Sequence, residues 1–121
     1  MGVVNAGGDL RRFGSIARPI QLRRRDGLVR VAELRCGAIA TSAPYGVHAE
    51  RLAQPLGCIF DPRTQRAWNG SGSVMVAAPS CLIADAFTKV AALVGPDCGP
   101  LLARFGARGF WDTDPAYVEG R

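Results

Sequence analysis

The chain has 121 residues, enough for one domain with a core of its own, and its 48% hydrophobic and 21% charged residues give an ordinary globular balance. No apolar run reaches the length of a membrane span, and no repeat or low-complexity tract is present. The net charge of +5 does not argue for nucleic acid as a partner, because Arg11-Arg12 follow a glycine turn and Arg23-Arg24-Arg25 form one run closed by Asp26 with no aromatic residue interleaved; that run reads as a solvated strand end or an anion-attracting surface.

Val3-Val4-Asn5 reads as a strand, Ala6-Gly7-Gly8-Asp9 as a turn, and Leu10 to Phe13 as an extended segment broken by Gly14-Ser15. Pro19 to Arg25 and Leu28 to Leu34 are strands around the hairpin signal Asp26-Gly27. Cys36 to Ser42 is small and apolar and ends in two hydroxyls, Thr41 and Ser42. Gln54 to Phe60 leads into the turn Asp61-Pro62-Arg63-Thr64, where Asp61 is expected to accept bonds from the amides that follow it. Ser73 to Ala77 is a strand. Ser80 caps a helix from about Cys81 to Val94, stopped by Gly95-Pro96, with Ile83, Phe87, Val90 and Val94 as its buried stripe. Asp97 is placed to cap a second short helix to about Phe105, and Ala107 to Trp111 is a last strand. Several strands followed by a helix pair predict an α+β domain, with helices on one face of a mostly antiparallel sheet. The domain occupies residues 1–111, and 112–121 form a polar tail. No G-x-G-x-x-G and no P-loop is present.

Cys36, Cys58, Cys81 and Cys98 form no C-x-x-C pair, and the single histidine, His48, stands far from them, which argues against a zinc site. Cys58 reads as a buried, inert thiol, Trp111 as a packing residue, and Trp68, in a glycine-rich loop, as a packing residue or a stacking platform. No export signal is visible, so the chain as it stands reads as cytoplasmic.

The segment Leu82 to Val90 puts one carboxylate, Asp85, on an otherwise apolar helix, facing Thr88 and Lys89. A carboxylate and a hydroxyl at this spacing can bind a hard divalent cation such as magnesium. Asp85 and Lys89, one turn apart, can equally form an ion pair, and spacing alone favours the pair because short motifs recur by chance. The glycines of Asn5 to Asp9 can let backbone approach a ligand, or can simply serve a tight turn. Thr41-Ser42 offers hydroxyls to phosphate or ribose, or ends a strand with local bonds.

Four segments in order, Val4-Asn5-Ala6-Gly7-Gly8-Asp9-Leu10-Arg11, Gly37-Ala38-Ile39-Ala40-Thr41-Ser42, Ile59-Phe60-Asp61-Pro62-Arg63-Thr64 and the helix opening Ala84-Asp85-Ala86, followed by Val94-Gly95-Pro96, resemble the ApbE family. Its members are FAD:protein FMN transferases, under an older label thiamine biosynthesis lipoproteins. The resemblance runs from Val3 to about Phe110 and corresponds to the C-terminal half of the family, a partial T-fold-like domain. It implies magnesium-dependent transfer of FMN from FAD to a threonine of an acceptor flavoprotein, with AMP leaving. The implied metal ligands are Asp85 and Thr88, and the implied flavin-site residues are Phe60 and Thr41. It also implies a further partner, a chain supplying the N-terminal half. Full-length relatives are often periplasmic or lipid-anchored.

Two positions depart from the family pattern. The hydroxyl ligand four residues after the aspartate falls on Lys89, and an ammonium cannot ligate magnesium. Thr88 can substitute for it, or Lys89 can meet phosphate as a point charge. A family histidine three positions before the Asp-Pro turn is here Cys58. The alternative to an enzyme is therefore an inactive remnant, or a binding and assembly half that works with a separate N-terminal half.

Overall fold

The computed structural model describes residues 1–24, 27–43, 59–68 and 72–111, and for 22–24 and 27–31 the backbone alone. In chain order the strands are β1 (Gly2–Asn5), β2 (Asp9–Phe13), β3 (Arg18–Arg24), β4 (Gly27–Leu34), β5 (Gly37–Ser42), β6 (Phe60–Asp61), β7 (Arg66–Ala67), β8 (Val74–Ala78) and β9 (Arg108–Trp111). Two α-helices, α1 (Cys81–Val94) and α2 (Gly99–Arg104), flank a 3-10 turn at Pro96–Cys98. A five-stranded sheet in the order β1-β2-β5-β8-β9 is antiparallel throughout. The α+β architecture expected from the sequence is the one observed.

Strand alternation divides this sheet into two faces. Ala38, Ala40, Val74, Val76 and Ala78 join the core under the helices, with Ala84 and Ala91 of α1 and Leu102 of α2. Ile39, Met75 and Phe110 face the other way and pack against Ile20, Ala32 and Leu34 of the β3–β4 hairpin. The sheet is thus covered on both faces, by helices on one and by a hairpin on the other.

The α1 boundaries follow from the chain's own signals. Ser80 Oγ accepts from Ile83 N–H at 3.4 Å, and the N–H of Gly95, at φ 78°, closes the last turn on Ala91 O at 3.0 Å. The buried stripe differs from the expected one: it is Ala84, Thr88, Ala91 and Ala92, whereas Ile83, Phe87 and Val90 are half-buried and Val94 is 48% exposed. The helix lies on a floor of Ala38, Ala40 and Ala78, where only small side chains fit beneath it. Asp97 does not cap α2 either; it sits in the preceding 3-10 turn, and Cys98 occupies the N-cap position without a side-chain bond.

Trp111 Nε1 donates to Ala91 O at 3.0 Å and ties the edge strand β9 to α1. Arg12 is buried; its guanidinium donates to Ile16 O at 2.7 Å, and its Nε finds no partner among the described residues. Cys36, Cys81 and Cys98 are free thiols, and burial pushes the Cys98 thiol pKa up. Among the described residues no helix is long and apolar enough to cross a membrane. The expectations placed on His48, Cys58, Asp26 and the 112–121 tail lie outside the described residues.

Candidate functional site

Thr41 and Ser42 are adjacent at the end of β5, so alternation sends their side chains to opposite faces of the sheet. On the hairpin side, Thr41 pairs with Met75, and its N–H donates to Gly8 O at 3.0 Å. That bond brings the β1–β2 turn beside the end of β5. The turn is held by Ala6 N–H to Asp9 O at 2.8 Å and by Gly7 N–H to Asn5 Oδ1 at 3.1 Å. Gly7 has φ 80°, in the left-handed region, which is the physical demand for glycine at this position. A cavity of about 570 Å³ opens here, lined by Asn5, Gly7, Gly8, Ile39, Thr41 and Met75 among others. Two of the segments singled out in the sequence therefore meet at one concavity.

On the helix side, Ser42 Oγ and Thr88 Oγ1 are 2.8 Å apart. Thr88 Oγ1 also donates to Asp85 O at 2.7 Å. A hydroxyl has one proton, so Ser42 is the donor in the first bond. Thr88 is 0% exposed. The Asp85 carboxylate instead faces solvent with Lys89, whose ammonium bonds Asp85 Oδ1 and lies 3.2 Å from Asp85 O. Thr88 thus points into the core and Asp85 out of it, although they share a helix.

This donor set does not fit magnesium. That ion takes near-octahedral oxygen ligands and sheds water reluctantly. Here the one carboxylate already holds an ammonium, and the neighbouring hydroxyl is fully buried and bonded on both sides. Among the described residues no three His, Cys, Asp or Glu side chains gather to hold a metal ion.

Phe60 stands apart from both features. It is 61% exposed on the two-stranded β6–β7 sheet. Beside it Asp61 is buried, and its carboxylate organises the turn as the sequence suggests: Oδ1 accepts from Arg63 N–H at 2.9 Å and Arg63 Nε at 3.1 Å, and Oδ2 from Nη2 at 3.0 Å. The Arg63 guanidinium and its backbone amide hold the Asp61 carboxyl pKa below the usual carboxylate value. Arg63 Nη2 also donates to Leu93 O at 3.1 Å, fastening this turn to the C-terminal end of α1, whereas Asp85 and Thr88 lie in its first two-thirds. A second hollow of about 460 Å³ is lined by Asp61, Thr64, Arg66, Ala67 and Trp68.

Sequence reasoning missed the part played by Ser42, although the small residues at 38, 40 and 42 mark the β5 face that meets α1. It also missed Arg11, whose guanidinium bonds Pro79 O and so links β2 to the residue before the α1 cap.

No curated protein and no solved structure matches the chain. A family model does, over residues 1–109, which takes in both concavities and the whole of α1 and α2. On that match the chain belongs to the ApbE family.

Proposed function

We propose that this chain takes part in flavin transfer: the FMN moiety of FAD passes to a threonine of an acceptor flavoprotein. The threonine Oγ attacks the FMN phosphorus, a phosphoester bond forms, the pyrophosphate P–O bond breaks, AMP leaves, and the threonine proton goes to solvent. Such a reaction rests on positioning and charge neutralisation more than on covalent chemistry by the protein. Family membership supports the reading, and the observation that carries it on this chain is the cavity where the Asn5–Asp9 turn meets Thr41. Gly7 and Gly8 let backbone come close to a ligand there, and Thr41 brings a hydroxyl for a phosphate or ribose oxygen. Phe60, exposed on its own hairpin, offers an aromatic face to the flavin, and Asp61 fixes the turn that carries it.

A second reading is favoured by one observation, the Lys89 ammonium on the Asp85 carboxylate. In that reading the chain binds flavin or assembles with an N-terminal half and performs no transfer alone.

Incubating the purified chain with FAD, magnesium and an acceptor flavoprotein, with and without a polypeptide carrying the family's N-terminal half, tests both. Covalent flavin fluorescence on the acceptor supports transfer. Its appearance only when the second polypeptide is added supports the assembly reading. No covalent flavin under either condition sinks the activity.

A further inference from the structure

We infer that the outer edge of β1 takes an extended, acidic segment of another polypeptide as an added strand, with one of its carboxylates on the buried guanidinium of Arg12. The register sets which backbone groups are open to it. Ala6 N–H bonds Asp9 O, so the pairs Val4–Arg11 and Gly2–Phe13 exchange the ladder bonds with β2. The N–H and C=O of Val3 and Asn5 therefore point away from β2, and no strand among the described residues meets them. Val3 is 53% and Val4 57% exposed. Edge strands are usually guarded by a charge, a proline or a bulge. Gly2–Asn5 has none of these, whereas the opposite edge, β9, opens on Arg108 and is tied to α1 through Trp111.

Arg12 stands opposite Val3, on the hairpin face of this ribbon, and is 5% exposed. A guanidinium carries several N–H donors and accepts none. Here it meets only the Ile16 carbonyl and, at 3.7 Å, the Met1 thioether, and its Nε has no partner among the described residues. A buried cation without an anion is costly. Met1 and Ile16 are themselves 79% and 53% exposed, so the guanidinium lies one layer beneath the surface where Met1 enters β1. On the helix face the neighbouring Arg11 likewise bonds a carbonyl, that of Pro79. A second copy of this edge would bring the same arginines and, from Gly2–Asn5, no carboxylate. A strand with a carboxylate supplies the missing anion in the paired geometry a guanidinium favours. Main-chain bonds then give affinity, and alternate side chains give the preference for acid.

The test titrates the full chain, by fluorescence anisotropy at physiological salt, with labelled peptides that alternate threonine with glutamate, with glutamine or with lysine. The expected order is glutamate first, glutamine about tenfold weaker, and lysine weakest. Val3→Pro removes an outward N–H and no bond to β2. It is expected to weaken the glutamate peptide about tenfold with an unchanged melting temperature. Arg12→Met is expected to bring the glutamate and glutamine peptides to one affinity; if that variant does not fold, the peptide comparison on the unsubstituted chain decides alone. Equal binding of the glutamate and glutamine peptides by the unsubstituted chain overturns the inference. So does a Val3→Pro variant that binds the glutamate peptide as the parent does, since that is attraction to a basic surface without the edge. Absence of binding overturns it too, as does sedimentation in which the parent dimerises and Val3→Pro does not, which makes a second copy the occupant.

Discussion

Ser42 on β5 and Thr88 on α1 share a hydrogen bond of 2.8 Å across the sheet–helix interface, and Thr88 is 0% exposed. The bond sits on the side of β5 opposite the cavity at Thr41, so one strand end serves packing with one side chain and a concavity with the next.

Thr88→Val keeps the shape and removes the hydroxyl, leaving Ser42 Oγ facing an apolar group. The expected cost is ~1–2 kcal/mol of stability, read as a lower urea midpoint with an unchanged slope. Ser42→Ala leaves Thr88 with its Asp85 carbonyl bond, and its cost is expected to be smaller. A Thr88→Val variant as stable as the parent would show that this bond contributes nothing to the interface.

The Asp61 carboxyl pKa is held low by Arg63, so folding is favoured by its ionisation. The sign follows from linkage: a carboxyl with a depressed folded-state pKa contributes stability that is present above its unfolded value, about 3.9, and is lost as pH falls through the folded value. Asp61→Asn is therefore expected to lower the melting temperature at pH 6 while flattening its decline between neutral and strongly acid pH. An acid decline as steep in Asp61→Asn as in the parent would remove Asp61 from the account.

Ala84 and Ala91 are both fully buried against the alanines of β5. Ala91→Leu adds volume where the helix rests on the sheet, and should destabilise the fold by ~1–3 kcal/mol. Leu82→Ala, on the same helix but 82% exposed, should change stability by no more than about 0.5 kcal/mol. Thermal unfolding of the two variants side by side checks the contrast. Equal effects would contradict the packing described for α1.

At the cavity, Thr41→Val removes a hydroxyl from the lining without changing its bulk. FAD affinity is expected to fall about tenfold, with the circular dichroism spectrum unchanged. Gly7→Ala meets no neighbouring atom within 4 Å, so its cost is conformational, about 1 kcal/mol or more from the positive φ. A Thr41→Val variant with parental FAD affinity would move the flavin elsewhere, and the hollow beside Trp68 would be the next place to test.

The order of strands and helices was legible because glycine and proline punctuate it, and because Ser80 and Gly95 carry the chemistry of a helix start and stop. The Asp61 turn was legible for the same reason: its bond to the Arg63 amide is local. The covering of the second sheet face by β3–β4 was not, since packing Ile20 and Leu34 over Ile39 and Met75 is a non-local choice. The α1 stripe was misread because hydrophobicity ranks isoleucine and phenylalanine above alanine, whereas the short distance to an alanine floor selects alanine and threonine. At the site, the spacing of Asp85 and Lys89 gave the ion pair directly. That Thr88 would turn inward could only come from knowing that Ser42 lies beneath it.

Strand β1 is outermost in its sheet and, among the described residues, is laddered only to β2. Asn5 and Gly7, which wall the cavity, are therefore carried on an edge ribbon of the sheet. Fraying from that edge unmakes the pocket while β5, β8 and α1 stay assembled. The same coupling runs backwards: a molecule seated against Gly7 clamps the ribbon, and the amide of Val4, which the register places on the β2 side opposite Arg11, would register its arrival as slowed exchange with solvent.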